Sequence, residues 1–457
     1  MFNPEVAEIR FGTGLSPRVS APQSAEEMLD GLLGPDRMMR DFPIEGFGDF
    51  RHRIVAFQKA RRSERKAKNE DDRAAATKAK KRANTAARKA YAGMIRDTLL
   101  RRTQTSTGFR ERLAFFWADH FTARGKSNIV RFGTSPYIEE AIRPHIAGRF
   151  EDLLIAAVTH PLMLHYLDQA QSVGPNSKLG KRRARGLNEN LAREVMELHT
   201  LGVDGPYTQD DVRQLAELFA GLSLDQEGGF KFKPAHVEPG AETVLGKNYG
   251  RKGSLDDIHA ALRDLARHPA TARHIASKLA RHFMADTPDP DLIDKLTAAY
   301  RDSDGNLLNV YVALLNHPAS WQPEMTNIKR PIDFVATAMR ALDVGEATLA
   351  RSNQKFLLNL IVTPMQIMGQ PWQTPNGPDG WPEEDSFWIT PQFMAARLAW
   401  ALSAPQEMLR VLPDPREFAQ TALGQNAPPE VAFAASAAEN RWEGIALVLT
   451  SPAFQKF

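Results

Sequence analysis

The chain contains no cysteine, which excludes disulfide staples, thiol nucleophiles, thiolate-held iron–sulfur clusters and cysteine-built zinc sites. No apolar run is long enough to cross a bilayer. The opening residues Met1-Phe2-Asn3-Pro4-Glu5 lack the basic and apolar regions of an export signal. These absences set the expectation of a cytoplasmic protein without a membrane span. Familiar catalytic words are missing too. No His-Glu-x-x-His, no Gly-x-Ser-x-Gly and no strand-borne Gly-x-Gly-x-x-Gly occurs. Gly240 to Asn248 fails as a phosphate-cradling loop, having five residues between its glycines and asparagine after Lys247.

What is present is a chain of 457 residues, 42% hydrophobic, enough to bury a sizeable core. Its charge is uneven. Residues 1–50 carry 4 basic and 9 acidic side chains, residues 51–104 carry 18 and 5, and the rest carry 36 and 41. We therefore expect an N-terminal segment (1–50), a basic Ala/Lys/Arg-rich helical segment (51–104) and a main helical domain (105–457). No aromatic residue interleaves the cations between Lys59 and Lys89, so a stacking platform for single strands is missing and nucleic acid is disfavoured as a partner. The bland reading of this stretch is a solvated helix face.

Apolar residues recur at i, i+3 and i+4 in 136–142, 150–167, 208–222, 254–267 and 271–284. Thr208 with Asp211 and Ser254 with Asp257 have capping-box spacing, and Thr390 precedes Pro391 at a further helix start. Clear alternation occurs only in 229–237. The expected fold is mainly α, a multi-helix array with one short β-hairpin.

One helix carries the strongest clue to chemistry. On a wheel of about 100° per residue, Leu187 and, in the 188–204 segment that follows it, Leu191, Val195, Leu198 and Leu201 share one sector, and Glu194 falls inside it. A carboxylate in an apolar sector must be neutralised, hydrogen-bonded, ion-paired or metal-bound. Asn190 and Glu197 flank it at helical spacing, while Asn188 and His199 fall on the opposite border, pointing elsewhere. The structural alternative has Arg193 paired with Glu197 at i,i+4, Glu194 paired with an arginine from another helix, and Asn188 capping the start.

The words around this helix resemble the bacterial domain-of-unknown-function 1800 family. They are Asn188-Glu189-Asn190, Arg193-Glu194, Met196-Glu197-Leu198-His199-Thr200-Leu201-Gly202-Val203-Asp204 and Tyr207 to Val212. Phe116 to Phe121, Tyr166 to Ser172, Leu245-Gly246-Lys247, Lys278-Leu279 with His282-Phe283, Ile328 to Pro331, Met368 to Pro371 and Asp379 to Pro382 follow the family in the same order. The resemblance spans nearly the whole chain. It implies a largely helical protein with no assigned activity, sharing a pathway with a sulfatase-like or phosphatase-like companion. Family members are often exported. Where many of them carry a second histidine or asparagine before the His-Phe word, this chain has Ala118-Asp119.

Two further places hold candidate groups. His120 sits among Phe115, Phe116, Trp117 and Phe121, where a histidine is either a bonded core residue or a ligand. Asp168 to Lys178 crowds amides and hydroxyls into a loop before the Glu194 helix, so Asp168, Asn176, Asn190 and Glu194 are candidates for one pocket. Asp379 to Pro382 reads as a surface turn able to roof a cleft. Two functional readings result. The first is a metal-assisted hydrolase or group transferase acting on an anionic substrate. Its catalytic candidates are Glu194, Glu197, His199, His120 and Arg193. One divalent ion would sit on Glu194, Glu197 and His120, and Asp168, Asn176, Asn190 and Lys278 would bind substrate or cofactor. The second is a non-catalytic scaffold working with the companion, the Glu194 cluster being an internal salt-bridge network.

Overall fold

The computed structural model describes residues 1–183, 186–250, 253–351, 353–425 and 427–457. The elements that position the site begin with a hairpin of two long helices, α1 (Phe47–Lys66) and α2 (Glu70–Gln104). Asn69 caps α2 by accepting from the Asp72 amide at 2.8 Å, and acids in its first turn with Arg101 and Arg102 in its last suit the helix dipole. Then follow α3 (Gly108–His120), α4 (Asn190–Glu194) running into a π-helical turn at Val195–Thr200, and α5 (Gln209–Phe219). Two small hairpins come next, then α6 (Leu255–Ala266), α7 (Pro269–Phe283), α8 (Pro331–Ala341) and α9 (Pro391–Met408).

The fold is mainly α, as the apolar spacing implies. Both capping boxes form: Thr208 and Asp211 exchange hydrogen bonds at 3.2 and 2.8 Å, Ser254 and Asp257 at 3.3 and 3.0 Å. Thr390 accepts from the Phe393 amide ahead of Pro391. A device not anticipated is the His-Pro helix start. His160, His268 and His317 each precede a proline and accept, at Nδ1, the amide two residues on at 3.1, 3.1 and 3.2 Å. His160-Pro161 divides the expected 150–167 helix into Phe150–Val158 and Pro161–Tyr166, because proline has no N–H to continue the ladder.

Among the described residues the sheet content is two separate two-stranded hairpins, where one was expected. β1 (Leu222–Leu224) pairs antiparallel with β2 (Phe230–Phe232), and β3 (Glu242–Val244) with β4 (Lys247–Tyr249). Of the alternating 229–237 stretch, residues 230–232 are strand, and Pro234–His236 turns into a 3-10 helix. Leu245 and Gly246 both take positive φ, 48° and 76°, as a two-residue hairpin loop needs.

Among the described residues two large hydrophobic cores form beside a small cluster of Ile328, Trp381 and Trp388, and α2 serves both large ones: Ala87 and Met94 enter the first, Ile95, Leu99 and Leu100 the second. Buried ion pairs lie at their junction. Asp333 of α8 is held by Arg102 of α2 and, at 3.4 Å, by Arg112 of α3. Arg101 forks onto Glu139 at 2.6 and 3.0 Å, and Arg330 onto Asp119 and Glu383 at 2.6 and 3.0 Å. Burial alone would raise the Asp333 carboxyl, but the charges of Arg112 and Arg102 hold it below the usual range. Removing one partner of such a set strands the others in a dry interior. Asp333→Asn is expected to destabilise the protein by about 3–5 kcal/mol, measured as a fall in the denaturant midpoint with unchanged slope.

Candidate active site

The π turn sets the local geometry. Leu201 N and Thr200 Oγ1 donate five residues back, to Met196 O at 2.9 Å and Val195 O at 2.6 Å. The wider turn shifts the faces beyond Val195 by about one residue. Leu198, expected in the apolar sector, is therefore half-buried, while His199 is 1% exposed. A wheel at constant angle misplaced both.

Two carbonyls at the end of this turn are held by imidazoles. His120 Nε2 lies 3.2 Å from His199 O, and His274 Nε2 of α7 lies 3.0 Å from Leu198 O. A carbonyl only accepts, so both rings carry hydrogen on Nε2 and leave Nδ1 bare. His120 Nδ1 and both nitrogens of His199 have no hydrogen-bond partner among the described residues. The His120 and His199 ring centres are 6.0 Å apart, those of His120 and His274 6.2 Å. Burial first, then the Lys278 ammonium, lowers all three: His120 well below its ordinary value, His199 to about 3 and His274 to about 4. They are neutral imidazoles at physiological pH. Lys278, partly buried, makes no hydrogen bond or ion pair with a described residue.

Glu194 faces a different environment. Burial pushes its carboxyl up to about 7, helped by the charges of Glu197 and Asp379 and opposed by Arg193. It accepts no hydrogen bond from any described residue, so neither the expected arginine partner nor a closed network is present. Arg193 is instead committed elsewhere: to Glu197 at 3.1 Å, Glu189 at 3.3 Å and Gln209 at 2.9 Å. Tyr166 lies within the field of both Glu194 and Asp379, and the Arg124 guanidinium lies 5.9 Å from its ring centre. Arg124 also donates to Asn376 O at 3.3 Å, which fixes the loop carrying Asp379.

That loop has two faces. Beyond Asp379, Gly380 takes φ +85°, and a Cβ there would stand 2.6 Å from Asp119 Oδ1. Glycine allows Trp381 N to reach Asp119 Oδ1 at 2.9 Å. Trp372 and Trp381 then wall a cleft of about 80 Å³ together with Asp119, Arg102, Phe115 and Ile332. Of the Asp379 to Pro382 turn, Trp381 is the residue that lines this cleft.

The candidates named from sequence do not all converge. Among the described residues no group of three or more His, Asp or Glu side chains is placed to hold a metal ion. The ligand set Glu194, Glu197 and His120 thus does not assemble, since His120 is turned to a backbone carbonyl. Asp168 is bonded to Lys126 at 2.6 Å, and Asn176 to Glu238 through its amide at 2.6 Å. Asn190 is exposed, and its backbone N–H donates to Asn188 Oδ1 at 3.0 Å, although the cap position itself is held by Glu189, not by Asn188. Four residues escaped the sequence reading: Tyr166, Arg124, Asp379 as an acid, and His274. His274, Lys278 and His282 stand four apart along α7, a ridge that spacing alone reveals.

These features define a class: a mainly helical protein with a buried ionic junction, a neutral imidazole cluster and an unpaired acid beside a π turn. The chain belongs to the family described as Protein of unknown function (DUF1800), whose model matches residues 9–456. No curated protein and no solved structure matches it.

Glu194 should make stability depend on pH. The folded protein keeps a proton that the unfolded chain releases near the ordinary value of 4.5, so stability falls as pH rises from there through about 7. Allowing for partial solvent screening, the cost above that range is about 1–2 kcal/mol. Glu194→Gln should be more stable than wild type by that amount at pH 8 and show no gain at pH 4. Denaturation curves at the two pH values measure it.

Proposed function

We propose that the protein is an acid–base enzyme, a hydrolase or group transferase, with Glu194 as the proton-transferring group. The observation that carries this reading is a half-buried carboxyl, raised to about 7 and without a bonding partner, beside two further acids. A structural acid is normally paired. One poised near neutrality is suited to give and take protons. Asp379 and Glu197 flank it, and their negative charges help to hold the Glu194 carboxyl near neutrality. Tyr166 and Arg124 would orient the substrate. Arg193 is occupied by three partners, and the clustered acids repel anions. The substrate is therefore neutral or cationic where it meets Glu194, rather than anionic as the sequence suggested.

A second reading, a protein that docks a companion, draws on exposed apolar side chains in the C-terminal helices, Phe433 at 72% and Trp442 at 36%. A sulfatase-like or phosphatase-like protein is the natural partner to try in that case, by co-elution with the purified chain.

The enzyme reading is tested with nitrophenyl acetate and glycosides against nitrophenyl phosphate and sulfate. Turnover is expected for neutral substrates, with a pH limb near 7. Glu194→Gln should lower kcat by about 100-fold or more while keeping the stability gain expected of it at pH 8, so that unfolding does not account for the loss, and Asp379→Asn should move the limb to lower pH. Wild-type turnover in Glu194→Gln would refute the assignment.

A further inference from the structure

The basic hairpin of α1 and α2 is largely solvated, but in its middle it forms one wall of a groove of about 440 Å³ closed by the 3-10 turn Asn128–Phe132. Lys80, Lys81, Asn84, Arg88 and Arg131 line it, and no carboxylate does. Lys80 is neutralised by Glu64 of α1. Lys81, Arg88 and Arg131 make no ion pair with any described residue. Three uncompensated cations around one concavity repel one another, and an anion placed among them relieves that repulsion.

A second cavity of about 270 Å³ shares Arg88 and Arg131 with the groove. Its remaining wall is apolar: Tyr91, Ala92, Ile95, Phe132, Leu357 and Leu358, with Gln354 at the edge. Tyr91 and Phe132 stack with ring centres 4.5 Å apart, and the Arg131 guanidinium lies 4.7 Å from the Phe132 ring centre. The two arginines thus form a common lip between a cationic chamber and an aromatic–aliphatic one. A molecule that satisfies both chambers has an anionic head and an apolar body.

We propose that this paired cavity binds an anionic amphiphile, a phosphate monoester carrying an apolar chain. The head sits among Lys81, Arg88 and Arg131 with the Asn84 amide, where a phosphate's several acceptor oxygens and near-double charge use more donors than a carboxylate. The chain lies against Tyr91, Phe132 and Leu358. A nucleic acid strand fits less well. One stacked aromatic pair gives no succession of base platforms, and the apolar chamber is partly aliphatic. The site is separate from Glu194 and independent of its chemistry.

The full chain is titrated calorimetrically with dihexanoyl phosphatidate, inorganic phosphate and dihexanoyl phosphatidylcholine. The phosphatidate is expected to bind at least tenfold tighter than either of the others. Arg88→Gln with Arg131→Gln should weaken it at least tenfold at unchanged melting temperature, while Leu358→Asp should remove its advantage over inorganic phosphate. Glu194→Gln should bind as wild type does. Equal affinity for phosphatidate and inorganic phosphate, undiminished binding by the double arginine variant, or no binding at all would each overturn the proposal. Sedimentation with phosphatidate-containing vesicles then assigns the source. Co-sedimentation marks a membrane lipid, and binding of the soluble form alone marks a free phosphate ester.

Discussion

The charge cluster around Asp333 is the constraint on which the arrangement depends. Two guanidiniums from successive helices, Arg102 and Arg112, meet one carboxylate from a third, and all three are buried. Such a set contributes little net stability, because desolvation offsets most of the attraction. It does restrict geometry. A slip of α2, α3 or α8 by one residue would leave a charge in apolar surroundings, a penalty that an apolar interface would not impose. The two cores are thereby locked in one relative register.

That register reaches the candidate site through α3. Arg112 and Asp119 lie on the same helix, and Arg330, next to α8, takes Asp119. Asp119 in turn accepts the Trp381 amide, which places the loop that carries Asp379 towards Glu194. His120, adjacent to Asp119, fastens the π turn that follows Glu194. The acid cluster is therefore positioned from both sides by neighbours in one helix, and Glu194 itself spends no bonding capacity on a described residue.

Much of this was legible from local pattern. The capping boxes at Thr208 and Ser254 form as expected because a helix start is decided by residues within one turn of each other. Glu194 was identifiable from its place in an apolar sector, since periodicity survives wherever the helix is regular. Legibility ended where it ceases to be regular. The π turn moved His199 inward and Leu198 outward, and nothing in the composition of Val195 to Thr200 announces an i→i+5 ladder. The surroundings of Glu194 were hidden for another reason: Tyr166, with Arg124 beside it, and Asp379 come from distant segments, and only the folded chain brings them together. The second hairpin escaped because nothing alternates beyond its three-residue strands, whereas the alternation at 229–237 runs on past the strand Phe230–Phe232.

One last feature is mechanical. At 1.5 Å per residue, the 35 residues of α2 make a rod of about 52 Å, yet its buried side chains concentrate from Met94 onward, with Ala76 and Ala87 the exceptions before it. Its two ends are held differently. The stretch with Lys81 and Arg88 rests on α1, to which Thr77 and Lys80 are bonded through Glu64, whereas the stretch with Arg102 is enclosed by both cores. One helix thus has a half that a single neighbour supports and a half that the whole interior holds.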